Sequence, residues 1–348
     1  MPVRFPDSFT LPLPDDFHIH LRQGEALSRY VNAATAAYGR VIVMPNTTPP
    51  IRDEHDLLRY REEILDAAAD APWFVPLMTF KIATVHTADD VQRLAAAGAT
   101  AGKLYPQGAT TNAEDGVADI GSVWHVFAAM ERCGLVLCIH GEDPAAFVMD
   151  REDAFLPVLT RIASDFPDLR IVLEHVTTAR AVELVESLPD TVAATITVHH
   201  LLLTLDDVVG GFLNPHVFCK PIMKRPEDRA ALARAAVSDS PKFFFGSDSA
   251  PHPVGAKESS CGCAGVYTAP VAMPLLIDFF ERHGTMERLR AFCCERGRAF
   301  YGLPANAYEV RYRRESWTVP QVFGDVVPFR AGESVPWTAE QPRPVQGG

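Results

Sequence analysis

No stretch of this 348-residue chain approaches the roughly 20 consecutive apolar residues that a membrane-spanning helix requires. The opening "MPVRFPDSFT" has no charged-then-apolar leader, so the expected location is the cytoplasm. Cations are in the minority, 32 Lys and Arg against 44 Asp and Glu, and the net charge is -12. Sequence-independent nucleic-acid binding needs a cationic surface that displaces counterions, and is therefore not expected. An anionic small substrate stays possible, because it responds to the local field of its pocket. No GxGxxG follows an early strand, and there is no internal repeat and no low-complexity tract. Cysteines are few and odd in number, seven, with Cys133, Cys138, Cys219 and the pair Cys293–Cys294 lying in mostly apolar segments. That predicts buried thiols rather than disulfides. The "CGC" at 261–263 is too tight for a CxxC redox or zinc pair and reads as a loop.

What the chain does have is a recurring pattern. Apolar β-rich runs occur within 15–24 and at 40–46, 74–80, 101–106, 135–141, 170–176, 192–200 and 243–249. Amphipathic stretches lie between them, such as "RDEHDLLRYREEILDAAAD" (52–70), "ADDVQRLAAAG" (88–98) and "RPEDRAALARAAV" (225–237). Strands buried on both faces read as continuous apolar runs, which indicates a parallel sheet. Eight strand–helix units predict a (β/α)8 TIM barrel, with a doubly wound open sheet as the runner-up. The expected layout is one domain over 1–348, with the barrel at about 12–302 and a small C-terminal appendage at about 303–348.

In "DDFHIHLRQG", residues 15–24, His18, His20 and Arg22 recur with period two, so on a strand they point one way. His18 and His20 close the first strand, Asn46 the second, His140 the fifth, His175 the sixth and Asp248 the eighth, with His252 just beyond. In a parallel barrel those ends share one face, where catalytic groups gather. A single histidine closing a buried strand is usually a hydrogen-bonded rim residue. Four of them with a carboxylate at equivalent ends are hard to explain as separate accidents. Lys103 lies inside the fourth strand, where a buried ammonium is costly unless paired or chemically altered. His55, His86, His125 and His283 read as surface residues, and His199, His200 and His216 are ambiguous.

Imidazole and carboxylate are the usual ligands of a borderline ion such as Zn²⁺. Five such side chains exceed the needs of one catalytic zinc that keeps a position open for water, which points to two ions. No second carboxylate is expected among the strand ends to bridge them. Lysine can supply the bridge if its amine reacts with CO2 to form a carbamate, which would also remove the burial problem of Lys103.

The motifs "HIHLR" with "MPN", "KLYP…ATTN", "IHGE", "EHVTT", "GSDSAPH" and "KESSCGCAG" resemble the amidohydrolase superfamily and, within it, the bacterial single-function dihydroorotases. The likeness runs from about Asp15 to the "YGLP" near 301. "HxH" alone is weak, whereas "GSDSAPH" followed by "KESSCGCAG" is specific. The resemblance implies two Zn²⁺ per subunit. His18 and His20 would bind the more buried ion, N6-carboxylated Lys103 would bridge both, His140 and His175 would hold the second, and Asp248 would complete the first site and shuttle protons. It implies that Arg22, Asn46 and His252 grip the substrate α-carboxylate, beside His20 and His140, and that backbone near Ala264 contacts the ring. Thr110 and Thr111 match a mobile loop that closes over substrate. The family usually has leucine where Lys220 stands, giving main-chain contacts, so a side chain entering the pocket there would shift preference. The implied reaction is the reversible cyclisation of N-carbamoyl-L-aspartate to L-dihydroorotate and water in pyrimidine synthesis, by a cytoplasmic homodimer using a bridging hydroxide. A hydantoinase or allantoinase, or an inactive dihydroorotase-like scaffold, stands as the alternative.

Overall fold

A computed structural model describes residues 6–111, 113–260 and 262–345. The chain first lays down a short strand, β1 (Ser8–Pro12), and then enters the barrel with β2 (Asp15–Ile19). β3 (Arg40–Val43), β4 (Val75–Lys81), β5 (Ala99–Leu104), β6 (Val136–Ile139), β7 (Ile171–Leu173), β8 (Val192–Ile196) and β9 (Phe243–Phe245) follow. These eight strands form one parallel sheet in chain order, β2 to β9. A parallel bridge between Ile19 and Ser249 brings the last strand back to the first. All eight predicted strands are present, and the open-sheet alternative is excluded by that closure.

Two apolar layers hold the barrel. Inside it, Phe17, Ile42, Ala101, Cys138, Val172 and Phe244 pack with Tyr301, which plugs the floor. Outside, Ile19, Val41, Val43, Leu137, Ile171 and Ile196 pack against the surrounding helices. Strand residues thus alternate between two buried environments, the physical origin of the continuous apolar runs. The helices form where the amphipathic pattern puts them. Glu54–Ala67 turns Leu57, Tyr60 and Ile64 inward, and its start is capped by Asp53, which accepts the Asp56 N–H at 2.9 Å. Ala88–Ala96 opens with a reciprocal cap between Thr87 and Asp90. Pro226–Val237 covers the far side.

The appendage is built partly from the start of the chain. β1 pairs antiparallel with β10 (Tyr308–Arg313), which also pairs with Thr338–Ala339 and Arg343–Pro344. Residues 8–12 therefore belong to this second sheet. Sequence reasoning missed the pairing because the partners are some 300 positions apart.

Among the described cysteines, Cys138, Cys219, Cys293 and Cys294 are buried free thiols, while Cys133 and Cys263 are half-buried. Cys261 lies outside the described residues, and Gly262–Cys263 is loop. No helix among the described residues is long and apolar enough to cross a membrane.

Candidate metal centre and substrate cavity

β2 does not run straight into the site. Its register shifts between Asp16 and Ile19, so Phe17 joins the inner core while Ile19 and Leu21 pack outward. His18 and His20 are released together into the barrel mouth. Asp16 fixes this kink from below, accepting the His18 N–H at 3.1 Å and the Ser247 N–H at 2.7 Å. The main chains of β2 and the turn after β9 then lock together, with Asp248 N–H donating to His18 O and His20 N–H to Ser249 O. This close approach needs Gly246, where a Cβ would stand 2.9 Å from Thr195 Cβ and 3.2 Å from His18 Cβ.

Three site residues adopt left-handed backbone conformations without being glycine: Arg22 (φ 58°), His175 (φ 44°) and Asp248 (φ 40°). Such residues cost energy and persist only where surrounding contacts hold them. At His175 the hold is visible, because its N–H donates to the buried Thr195 hydroxyl at 2.7 Å. Glu152 secures the following turn by accepting the N–H groups of Thr177 and Thr178.

The side chains converge. His18 Nε2 and His20 Nε2 are 3.3 Å apart, and each is 3.2 Å from Asp248 Oδ1. The His175 ring centroid lies 5.1 Å from that of His18 and 4.8 Å from that of His140. His140 Nε2 is 2.8 Å from Glu142 Oε2, a carboxylate oxygen that can only accept, which leaves the lone pair on Nδ1. Lys103 is fully buried behind them, its Nζ 5.0 Å from the Tyr105 ring centroid. Except for Lys103, every predicted site residue lines a single cavity at the barrel mouth. Tyr105, Ala250 and Gly265 complete the wall. Arg22 Nη2 is 3.0 Å from His252 Nε2, and Arg22 Nε donates to Pro251 O at 3.1 Å. The loop bearing Thr110 and Thr111 lies over the cavity and reaches Asn46, whose Nδ2 donates to Thr111 O at 3.5 Å. Asp115, farther along that loop, is gripped by Lys81 and Arg52.

One expectation is overturned. A second buried carboxylate does occur at a strand end: Glu174, beside His175. Its Oε1 lies 3.2 Å from His18 Nδ1, and Oε2 pairs with Lys103 Nζ. Alternation from the inward Val172 and outward Leu173 points Glu174 in and would send His175 out, but the left-handed His175 breaks that rule and lets both enter. The signal was present in "EHV". His86 also departs from expectation. It is buried, with Nδ1 accepting the Ala83 N–H and Nε2 2.8 Å from Arg52 O, because it ties two loops together. Of the ambiguous histidines, His199 and His200 are buried, and His216 sits 2.9 Å from Glu258 on the surface side. His200 has both ring nitrogens occupied, by Thr197 Oγ1 and Pro221 O.

Burial makes the site a host for ligands rather than for free charge. It lowers His18, His140 and His175 and takes His20 down to about 4, so the imidazoles are neutral at pH 7. It also lowers Lys103 to about 7. Burial alone would raise Asp248, but its contacts with His18 and His20 outweigh that and keep it anionic. Neutral imidazole nitrogens that face one another and a carboxylate, with His175 Nδ1 buried and unpartnered, are a donor set suited to divalent cations.

The same shifts set an expected pH response for metal-free protein. Seven buried histidines, His18, His20, His86, His140, His175, His199 and His200, have lowered folded-state values, so their contribution is intact above pH 6.5 and is lost on acidification, through about pH 4 for His20 and His200. Asp16 and Glu152, raised by burial to about 7, and Asp15, raised in the same direction, act oppositely, losing stability as pH rises through their folded-state values. The histidines outnumber the acids, and each fully shifted group contributes about 1.4 kcal/mol per pH unit. The urea midpoint of zinc-free protein is therefore expected to be lower at pH 5 than at pH 7. An equal or higher midpoint at pH 5 contradicts this balance.

Residues 16–310 match the model of the amidohydrolase family. A dihydroorotase of Teredinibacter turnerae is 46% identical over 343 residues, covering 96% of this chain and 99% of that one. Among solved structures, dihydroorotase from Saccharomyces cerevisiae in complex with 5-fluoroorotic acid superposes with a TM-score of 0.92 at 34% identity, over 97% of this chain and all of that one. The dihydroorotase of Campylobacter jejuni gives 0.90 at 37% identity, over 97% and 99%. Fold, near full-length coverage and the converging strand ends agree, and the chain belongs to the amidohydrolase family, among its dihydroorotases.

Proposed function

We propose that this protein is a dihydroorotase that interconverts N-carbamoyl-L-aspartate and L-dihydroorotate, using two zinc ions held by His18, His20, Asp248, His140 and His175 with carboxylated Lys103 between them. The observation that carries the reading is the meeting of His18 Nε2, His20 Nε2 and Asp248 Oδ1 within 3.3 Å at the mouth of the barrel. When bound, such ions polarise the scissile carbonyl and lower the pKa of water towards about 7.

The chain's own groups do the rest. Asp248 directs Oδ1 at the two histidines, and Oδ2 takes the proton from the attacking water. In the hydrolytic direction the new C–O bond forms, the ring C–N bond breaks, and Asp248 returns its proton to the leaving nitrogen. In the biosynthetic direction the order reverses and water leaves. Arg22, fixed by Pro251 O and His252, presents a planar fork to the α-carboxylate, with Asn46 beside it. Backbone at Ala264 and Lys220 meets the ring, and the Thr110–Thr111 loop excludes bulk water. Arg22→Lys keeps the charge but loses the fork, so KM for dihydroorotate is expected to rise roughly tenfold, equivalent to about 1.4 kcal/mol, with a smaller change in kcat.

The direct test is zinc analysis combined with spectrophotometric turnover of dihydroorotate. Zinc-loaded protein that hydrolyses a hydantoin or allantoin but not dihydroorotate would move it to another cyclic amidohydrolase. Protein that binds zinc and turns over none of them would be a scaffold. The reading also carries a cytoplasmic homodimer, which sedimentation and cell fractionation would check.

A further inference from the structure

Glu174 is a buried carboxylate beside the metal-ligand set that the proposed mechanism leaves without a task, and it touches two of the proposed ligands at once. Its side chain is inaccessible to solvent, and its two oxygens divide between two partners on different strands: Oε1 is 3.2 Å from His18 Nδ1, and Oε2 meets Lys103 Nζ. Its placement is built, because alternation along the strand from the inward Val172 points Glu174 into the barrel and Glu174 N–H is anchored on Ile139 O. The face it occupies is the rear one. His18 Nε2 points the other way, towards His20 and Asp248.

We propose that Glu174 is a positioning residue that aims both His18 and the modified Lys103 at the metal pair. This rests on the reading of Lys103 as a carbamate. A carboxylate on His18 Nδ1 can only accept, so it keeps the proton on Nδ1 and leaves Nε2 with a free lone pair for a cation. The second oxygen does the equivalent for the lysine. When a neutral amine attacks CO2, the new N–C bond forms, one N–H proton leaves to solvent, and one N–H remains on Nζ. Glu174 Oε2, already against Nζ, accepts that remaining N–H and fixes the rotation about the Cε–Nζ bond. The carbamate oxygens then face away from Glu174, towards the imidazoles. One carboxylate thus sets the orientation of two ligands through N–H groups that never touch the metals.

Glu174→Gln separates this role from simple filling of space, since a glutamine of the same shape can accept from only one of the two donors and must present N–H to the other. The variant and the wild type are prepared zinc-free, reloaded with zinc and ¹³C-bicarbonate, and compared by zinc titration, ¹³C NMR of the carbamate and thermal unfolding. Removal of an outer partner of a metal ligand typically costs 10- to 100-fold in affinity, and a loss of roughly that size, with a diminished ¹³C signal, is expected for Glu174→Gln. Wild-type zinc affinity and ¹³C intensity in the variant would overturn the role of Glu174. Absence of both signals from the wild type would instead overturn the carbamate reading beneath it. Should the variant not fold, ¹⁵N-histidine NMR of zinc-free wild type decides the matter: a proton on His18 Nδ1 supports the assignment, and one on Nε2 overturns it.

Discussion

Asp248→Asn is expected to leave zinc bound and to lower kcat roughly 10²- to 10⁴-fold, the range that a positioned acid–base group contributes. Asparagine is nearly isosteric and keeps an amide oxygen for the contact that Oδ1 makes with His18 and His20, so the fold and the metal set survive. What it cannot do is carry a proton from the attacking water to the departing ring nitrogen. The left-handed backbone at this position favours the exchange, because asparagine tolerates that conformation as well as aspartate does. The loss should therefore appear in kcat at unchanged zinc content. Near-normal turnover in this variant would remove Asp248 from the shuttle.

Lys103→Ala is expected to lose zinc and activity together. The amine sits at the centre of the barrel, fully buried, with Glu174 behind it and Tyr105 to one side. Truncation opens a void there and leaves Glu174 Oε2 without the Nζ–H it meets, and a buried acceptor left without its donor typically costs about 1–3 kcal/mol. The void is also the means of rescue. Short carboxylic acids such as acetate or propionate fit the vacated channel and offer two oxygens to the metal pair, so partial recovery of both zinc binding and turnover is expected at high concentration. Undiminished zinc in Lys103→Ala would count against the lysine as a bridge.

Much of the barrel could be read from the chain because its strands are buried twice over, and a run such as Ile171–Leu173 or Phe243–Phe245 has no polar face to confuse the pattern. The site was legible for a related reason: polar residues such as His140 and His175 interrupt those runs at equivalent points, and a parallel barrel gathers equivalent points into one ring. What sequence reasoning missed depended on local departures from regular geometry or on distant partners. Glu174 was hidden because the pattern places His175 at the barrel mouth, and regular alternation does not let two neighbours share that face; a single positive φ at His175 allows it. His86 looked like a surface residue because one of the two backbone groups that satisfy it, the Arg52 carbonyl, is 34 positions away and has no local signature beside the nearby Ala83 N–H. The union of β1 with β10 joins opposite ends of the numbering, and nothing in either strand alone announces its partner.

The strained φ values at Arg22, His175 and Asp248 carry a consequence for engineering. A left-handed conformation costs an ordinary residue about 1–2 kcal/mol, and glycine escapes the penalty. A library selected only for heat tolerance would be rewarded for placing glycine at these three positions, and the most durable clones would be catalytically dead. Melting temperature and turnover should diverge in such a campaign, so screening this protein demands an activity readout from the first round.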